Sequence, residues 1–531
     1  MAINVLIGVG GTGAKIVESA LFLLSSGVGP TSKVIVGLVD QDNSNGNVVR
    51  TQLLLDLLGR VRHDFETSGN SIDWSTDPSS GGTPLFSIPL EPLFGEGGSA
   101  HWRPAPDNMP TLRDILRHQD MPEDEQALFD LLFRDEKAGP ADLEQTMDLA
   151  EGYRGRAHVG AAALISAINH DQPEFLRRLL ELLKASAGGE EVRIFLAGSL
   201  FGGTGAAGFP TIARMLDKLR APNNAERIKG DQVHIGGALM LPYFRFGEPN
   251  DAAANVITSA QLLPQARVAI EFYQSLLQQE GVFDRLYVSG WDEMFELGYH
   301  QPGRAEQRNP ALLPELVAAL AAIDFFDPAQ SIKRADQPFA AARREGGAFG
   351  WADLPAVAEL KQRLYDRLGG ALRFALWWRY RVEPAIDDRS VLGSIRTPWL
   401  KKLAGDTNWH EGTPDARKNL DSYAERILLW ASSLHLFGKS KVPDFALWNT
   451  DPLRSRSEPL KPADPVDLHV KRSEAESLAD LDAILTAKDP NAPPVGAQVV
   501  YDDLSRNLPT GQSKGLGRLT AGVHRATRPF R

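Results

Sequence analysis

The chain has 531 residues, of which 43% are hydrophobic and 24% charged. Those proportions belong to globular proteins and exclude a wholly disordered, collagenous or coiled-coil chain. At roughly 100–200 residues per domain the length allows two to four domains. A net charge of −11 argues against a dedicated nucleic-acid binder, and the absence of cysteine removes disulfides, thiolate nucleophiles and thiolate metal sites.

The 11 histidines form no HExxH pattern. No apolar run reaches the roughly 18 residues of a membrane span. The N-terminus passes from Ala2 straight into Ile3–Ile7 with no basic region before it. The expectation is a cytoplasmic protein without a membrane span.

Over the first 250 residues, short β-branched runs alternate with helical patterns. Strands are expected at Ile3–Ile7, Lys33–Val39, Val192–Ala197 and Gln232–Leu241. Helices are expected at Ala14–Leu24, Val48–Arg62, Gly160–Asn169, Glu174–Ala185 and Pro210–Leu219. This alternation predicts βαβ units: an α/β fold, with a mostly parallel sheet flanked by helices and a ligand at the carboxyl ends of its strands. Residues 64–110, rich in Gly, Pro, Ser and Asp, read as an irregular insertion, and helical character returns over Leu112–Ala150. A helical pattern follows over Asp251–Gln279, interrupted at Pro264, then a strand at Asp284–Ser289 and a helix at Pro310–Phe325.

From about 335 the character changes, and seven of the ten Trp lie between Trp351 and Trp448. Helical stretches (Ala352–Leu376, Asn419–Leu436) dominate there. Trp377 and Trp378 read either as an aromatic core or as a ligand cage. Residues 450–500 have linker composition. The segment Leu504–Arg531 carries Arg506, Lys514, Arg518, Arg525, Arg528 and Arg531 and no acid. It is either a solvated tail or a basic segment that docks on an acidic partner or on the chain itself. The expected organisation is a nucleotide-binding domain over 1–330 with an insertion at about 64–150, a helical Trp-rich region over 335–450, and a linker and basic tail over 451–531.

The motif that carries chemistry is Gly8-Val-Gly10-Gly11-Thr12-Gly13, between a strand and a helix. Glycine lets the backbone approach an oxyanion, and a helix start offers unpaired N–H groups and its positive dipole end. Alone the motif also fits a dinucleotide fold. Asp40, 27 residues past Gly13 at the end of the next strand, would then grip a ribose. A Walker A loop fails on spacing, because Lys15 falls one residue late. A second strand, glycine loop and helix follows at Ile194–Pro210, containing Gly202-Gly203-Thr204-Gly205. A dinucleotide fold has no use for this second loop; a site that wraps a nucleoside triphosphate from two strand ends does.

Gly202-Gly203-Thr204-Gly205, with Pro210 after it, resembles the signature loop of the tubulin/FtsZ superfamily. The order of the remaining parts agrees over roughly residues 1–330. Gly8–Gly13 resembles the first nucleotide loop, Val39-Asp40-Gln41-Asp42 the second, Gly152–Gly160 the third, and Leu241–Phe246 the fifth. Phe201 and Ala207 stand where the signature usually has glycine, and the insertion is long. Divergent prokaryotic tubulin-like proteins are therefore the better comparison.

The resemblance implies bound GTP or GDP with Mg²⁺. Gly10, Gly11, Thr12 and Gly13, with Gly202, Gly203, Thr204 and Gly205, would hold the phosphates. Arg154 and Arg156 would contact the γ-phosphate or else form surface ion pairs. Asp40 and Asp42 would bind the metal, with Asp42 equally suited to cap the next helix. The guanine-reading Asn of the family has two placements, Asn255 and Asn309. Asp324 and Asp327 would be the catalytic acids presented to the next subunit's nucleotide, so that head-to-tail filament assembly switches on hydrolysis; otherwise they form a helix-ending turn. Three functions compete: a self-assembling GTPase, a nucleotide-binding scaffold in a multiprotein complex, and a Rossmann-type NAD-binding oxidoreductase.

Overall fold

Strand β1 (Ala2–Val9) is a run of aliphatic residues buried on both faces, interrupted by Asn4, whose amide reaches Ser32 Oγ at 2.8 Å. The computed structural model describes residues 2–42, 44–67, 69–74, 82–133, 144–170, 174–222, 226–246, 259–291, 294–297, 309–341, 348–388, 397–404, 414–442, 444–453, 497–507, 511 and 513–527. Around β1 lie β2 (Val34–Val39), β3 (Leu90–Pro92), β4 (His101–Trp102), β5 (Glu191–Ser199) and β6 (Val233–Met240). Strands β7 (Phe244–Phe246), β8 (Arg285–Ser289), β9 (Phe295–Leu297) and β10 (Phe339–Ala341) follow. The main sheet runs β10-β8-β6-β5-β1-β2-β3, with β4 also on β2, and every pairing is parallel. Strands β7 and β9 pair separately.

Strand residues alternate between two apolar layers, as a pleat requires. Val5, Ile7 and Val9 of β1 face one cluster, whereas Leu6 faces the other. The first layer is completed by helices α5 (Ala157–His170), α6 (Glu174–Lys184), α7 (Gly203–Leu219) and α8 (Ser259–Ser275). The second holds α1 (Gly10–Ser25), α2 (Gly46–Glu66) and α9 (Leu313–Phe325). The architecture is thus α/β, a mostly parallel sheet between helical layers.

The apolar cluster around α1 continues into the Trp-rich helices. These are Ala358–Arg363, Gly369–Trp377, Glu383–Asp387, Pro398–Ala404 and Pro414–Lys441. Trp430 Nε1 donates to Ser19 Oγ of α1 at 3.2 Å, and its ring lies 5.1 Å from Phe22. Trp377 and Trp378 are 5% and 0% exposed, which makes them core rather than a cage.

Two segments differ from the sequence expectation, and a third takes one of its alternatives. Residues 64–110 include β3 and β4, whose two or three residues are too short to show a period and in one case contain proline. The stretch 112–150 breaks into Leu112–Ile115 and Glu123–Leu132. The basic C-terminal segment is not a solvated tail over Gly515–Ala526. It is a helix with Leu516, Leu519 and Val523 fully buried. It is stitched to the segment after α2 by Lys514 N–H to Ser71 O at 2.9 Å, Leu516 N–H to Asn70 Oδ1 at 3.1 Å, and Thr83 Oγ1 with His524 Nδ1 at 2.9 Å. Its leucine spacing at i and i+3 outweighs its charge. Arg528 and Arg531 lie outside the described residues. Among the described residues no helix is long and apolar enough to cross a membrane.

A buried leucine and a tail leucine respond differently to truncation. Leu519→Ala lowers unfolding stability by about 2–4 kcal/mol in urea titrations; an unchanged midpoint would show that this helix is not part of the core.

Candidate functional site

The chain leaves β1 toward β2 and β3 on one side, while β5 pairs on the other side, so the strand order reverses between β1 and β5. In open parallel sheets the crevice at such a reversal is where ligands bind. The register brings the strand ends level: Val9 opposes Val39, and Gly8 opposes Ala197. The loops after β1, β2 and β5 therefore open into one cleft.

Helices α1 and α7 start at its wall, and neither has a side-chain cap or an acid in its first turn. Each leaves unpaired N–H groups and a partial positive charge at the cleft. The two starts touch. Gly10 has φ +73, and a Cβ there would stand 2.9 Å from Gly205 N, so the position tolerates neither a side chain nor another backbone shape. Gly202, at φ +92 and ψ 165, makes the corresponding sharp turn before α7. Gly11, Thr12, Gly203 and Thr204 line the same cleft; Gly13 instead abuts Ala197 O, where a Cβ would stand 2.4 Å away.

Asp40 sits beneath these loops, 3% exposed. Its carboxylate accepts from Thr204 Oγ1 at 2.8 Å, Asn45 Nδ2 at 3.1 Å and Asp42 N–H at 3.3 Å. Burial, then the nearby Asp42 charge, pushes its pKa up to about 7, against the pull of those hydrogen bonds. Asp42 is also in the cleft, and its Oδ1 accepts from Ser44 N–H and hydroxyl at 2.9 and 2.7 Å. It therefore shapes the turn before α2, while Asn45 caps that helix. Two carboxylates and a hydroxyl are too few for a protein-only ion cage, and among the described residues no group of three or more acids or histidines gathers. They suit a hard cation that takes its other oxygens from phosphate and water.

The cleft lining is also apolar and amidic. Phe201, Phe244 and Phe246 form an edge-to-face group with centroids 5.4 and 5.1 Å apart. Asn309 lines the cleft as well. Its N–H donates to Asn47 Oδ1 at 3.0 Å and its carbonyl accepts from Arg50 at 3.0 Å, with Arg50 anchored on Glu18 by two 2.7 Å bonds. Its backbone is thereby fixed from both sides. Asn255 lies outside the described residues.

Besides Gly13, three of the expected site residues do not line the cleft. Arg156 pairs with Glu144 at 3.4 Å, while Arg154 lines the cleft and pairs with Glu151. Asp324 is the penultimate residue of α9, and Asp327 lies just past its end. Tyr287 OH donates to Asp324 at 2.7 Å, and Arg363 to Asp327 at 2.7 Å. Asp327 N–H also bonds Asp324 O at 3.2 Å, so the pair forms the turn that ends the helix. Neither acid is among the described residues that line the cleft.

Two cleft residues escaped the sequence reading. Lys15 is buried and ion-paired with Glu315 of α9, whose Oε1 also accepts from Tyr243 OH at 2.5 Å. Burial lowers the Lys15 pKa and raises that of Glu315, each opposed by its partner. Only its off-register place in a Walker pattern drew attention to Lys15. The second residue is Tyr153, on the third loop. No family model and no curated protein matches the chain.

The raised Asp40 pKa has a sign that can be measured. Between pH 4 and 7 the ligand-free folded state holds a proton that the unfolded state has lost, so stability falls as pH rises through that window. Asp40→Asn removes this slope. Urea titrations show the variant gaining on the wild type from pH 5 to pH 8, by up to about 1.4 kcal/mol per unit of pKa shift; a constant difference would contradict the buried charge.

Proposed function

We propose that this chain is a tubulin/FtsZ-like guanine-nucleotide-binding protein whose site is the cleft between β1 and β5. The observation that carries the reading is the contact of two glycine-rich helix N-termini, Gly10 on Gly205, both uncapped and free of acids. Their N–H groups suit adjacent phosphates. The aromatic side chains and the fixed Asn309 that also line the cleft suit a base and ribose. Asp40 and Asp42 would hold Mg²⁺, which when bound supplies neutralisation of phosphate charge. The hydrogen bond from Thr204 ties Asp40 to the second glycine loop, which favours a phosphate-side role over the ribose contact of a dehydrogenase.

Catalysis would be phosphoryl transfer to water, resting on positioning and charge stabilisation. Helix α9 begins beside Asn309 and ends before Asp327, and its 13 residues make it about 20 Å long. That span supports head-to-tail stacking, in which Asp324 and Asp327 of one copy approach the cleft of the next; such contacts propagate into filaments when they do not close. A second reading, a nucleotide-binding scaffold without turnover, is favoured by the engagement of both acids with Tyr287 and Arg363 of their own chain.

Nucleotide released from the denatured purified protein, together with GTP turnover at increasing protein concentration, separates these readings. Guanine nucleotide with turnover rising more than linearly supports the assembling GTPase, and guanine nucleotide without turnover supports the scaffold. NAD(H), or no nucleotide, removes the proposal. Thr204→Ala weakens GTP binding by roughly tenfold, the size of one hydrogen bond to a charged group, and would leave NAD binding intact in a dehydrogenase.

A further inference from the structure

The insertion carries a small apolar core of its own. Phe129 and Phe133 pack there with Leu112 and Leu149, against Val159 and Ala163 of α5, apart from the two layers of the sheet. The helix Glu123–Leu132 lies on this core by one side. Phe129 is its buried residue, with its ring 4.8 Å from His118 and 5.1 Å from Phe133. Asp130 accepts from Gln145 Nε2 at 3.2 Å, which ties the helix to the segment that leads into α5. The helix is thus seated, and its other side is fixed toward solvent.

That outer side is apolar. Leu128, Leu131 and Leu132 are 54%, 82% and 58% exposed. Their spacing of i, i+3 and i+4 puts them on one stripe. A single exposed leucine is ordinary, but three on one stripe of a short helix make a patch. Nothing in the packing of the insertion calls for leucine at these positions.

The stripe has a charged edge. Asp124 and Glu125 stand four and three residues before Leu128, so both carboxylates border the leucines. Glu123 and Asp130 add two more acids, and the helix Glu123–Leu132 contains no cation. That pattern decides what fits. Two copies of the helix laid face to face would gather acids with no cation between them. The chain's own basic helix, Gly515–Ala526, already buries its leucines elsewhere.

We propose that the helix Glu123–Leu132 is a docking surface for a basic amphipathic helix of another protein. The apolar side of that partner covers Leu128, Leu131 and Leu132, and its lysines or arginines pair with Asp124 and Glu125. Ten residues make the docking helix about 15 Å long, so the contact is the size of one short helix anchored at i, i+3 and i+4. The leucines supply affinity and the acids set orientation. An antiparallel partner brings its last turn, where cations are favoured, against the acidic first turn. The inference stands apart from the nucleotide reading.

The test titrates the full chain with a fluorescein-labelled model helix of leucine and lysine, its leucines at i, i+3, i+4 and i+7, read by anisotropy. The control peptide has glutamate in place of lysine. The lysine peptide binds, less tightly as salt rises, and the glutamate peptide binds at least about tenfold more weakly. Leu131→Ser weakens the lysine peptide by about tenfold or more and leaves the melting temperature unchanged, because the side chain faces water in the free protein. Asp124→Asn with Glu125→Gln lowers the affinity and flattens its salt dependence. No binding of the lysine peptide overturns the inference, as does equal binding of the two peptides. Binding that Leu131→Ser leaves unchanged overturns it by moving the peptide to another acidic surface. A lower melting temperature of Leu131→Ser overturns it by assigning the stripe to the chain's own core. Sedimentation showing a wild-type dimer that Leu131→Ser dissolves overturns it in favour of a second copy.

Discussion

Two helices that begin at the same point present a problem of like charge. The first turns of α1 and α7 meet through Gly10 and Gly205, each carrying the positive end of a helix dipole and neither carrying an acid or a cap to offset it. Asp40 is linked to this charge through Thr204 at the start of α7. Its burial beside Asp42 makes its own negative charge costly. Under the proposed function, a metal-bound polyphosphate would offset both charges.

The rest of the fold holds that juncture still. Lys15, one turn into α1, is tied to Glu315 at the start of α9, and Tyr243 on the loop after β6 joins them. Removing one member of such a buried pair strands the other charge, so the group is a rigid joint and not a set of exchangeable contacts. At the other end of α9, the buried Arg193 of β5 donates to Phe325 O at 3.0 Å and to Asp327 O at 2.8 Å, securing the last carbonyls of the helix. Helix α9 is therefore fastened at one end to the strand-end loops and at the other to the beginning of the central strand β5.

Much of this was legible in the sequence, because long elements announce themselves. The β-branched runs of β1, β2, β5 and β6 and both glycine loops came from pattern alone; Asp40 and Thr204 as neighbours of one cleft, and Asn309 as one of two placements, came from the resemblance. Three kinds of information were not legible. Strands of two or three residues, such as His101–Trp102, have no period. Arg156 differs from Arg154 by two residues, yet it turns to Glu144 rather than the cleft, a matter of local backbone direction. Tyr153 and Lys15 look like a core aromatic and a surface cation until the surrounding packing is known. The strand-order reversal, which singles out the cleft, exists only in three dimensions.

The helix Gly515–Ala526 has a consequence for how the protein is made. It inserts Leu516, Leu519 and Val523 into the apolar cluster shared with α1, and it bonds to Asn70, Ser71 and Thr83 across more than four hundred residues of chain. During synthesis the strands of the sheet emerge long before this helix exists. The layer over α1 must wait, part of its apolar surface uncovered, until residues 515–526 leave the ribosome. Contacts so distant in sequence slow folding and prolong exposure to aggregation. A nascent chain arrested before that point would carry both glycine loops and still lack a closed core, a natural substrate for chaperones.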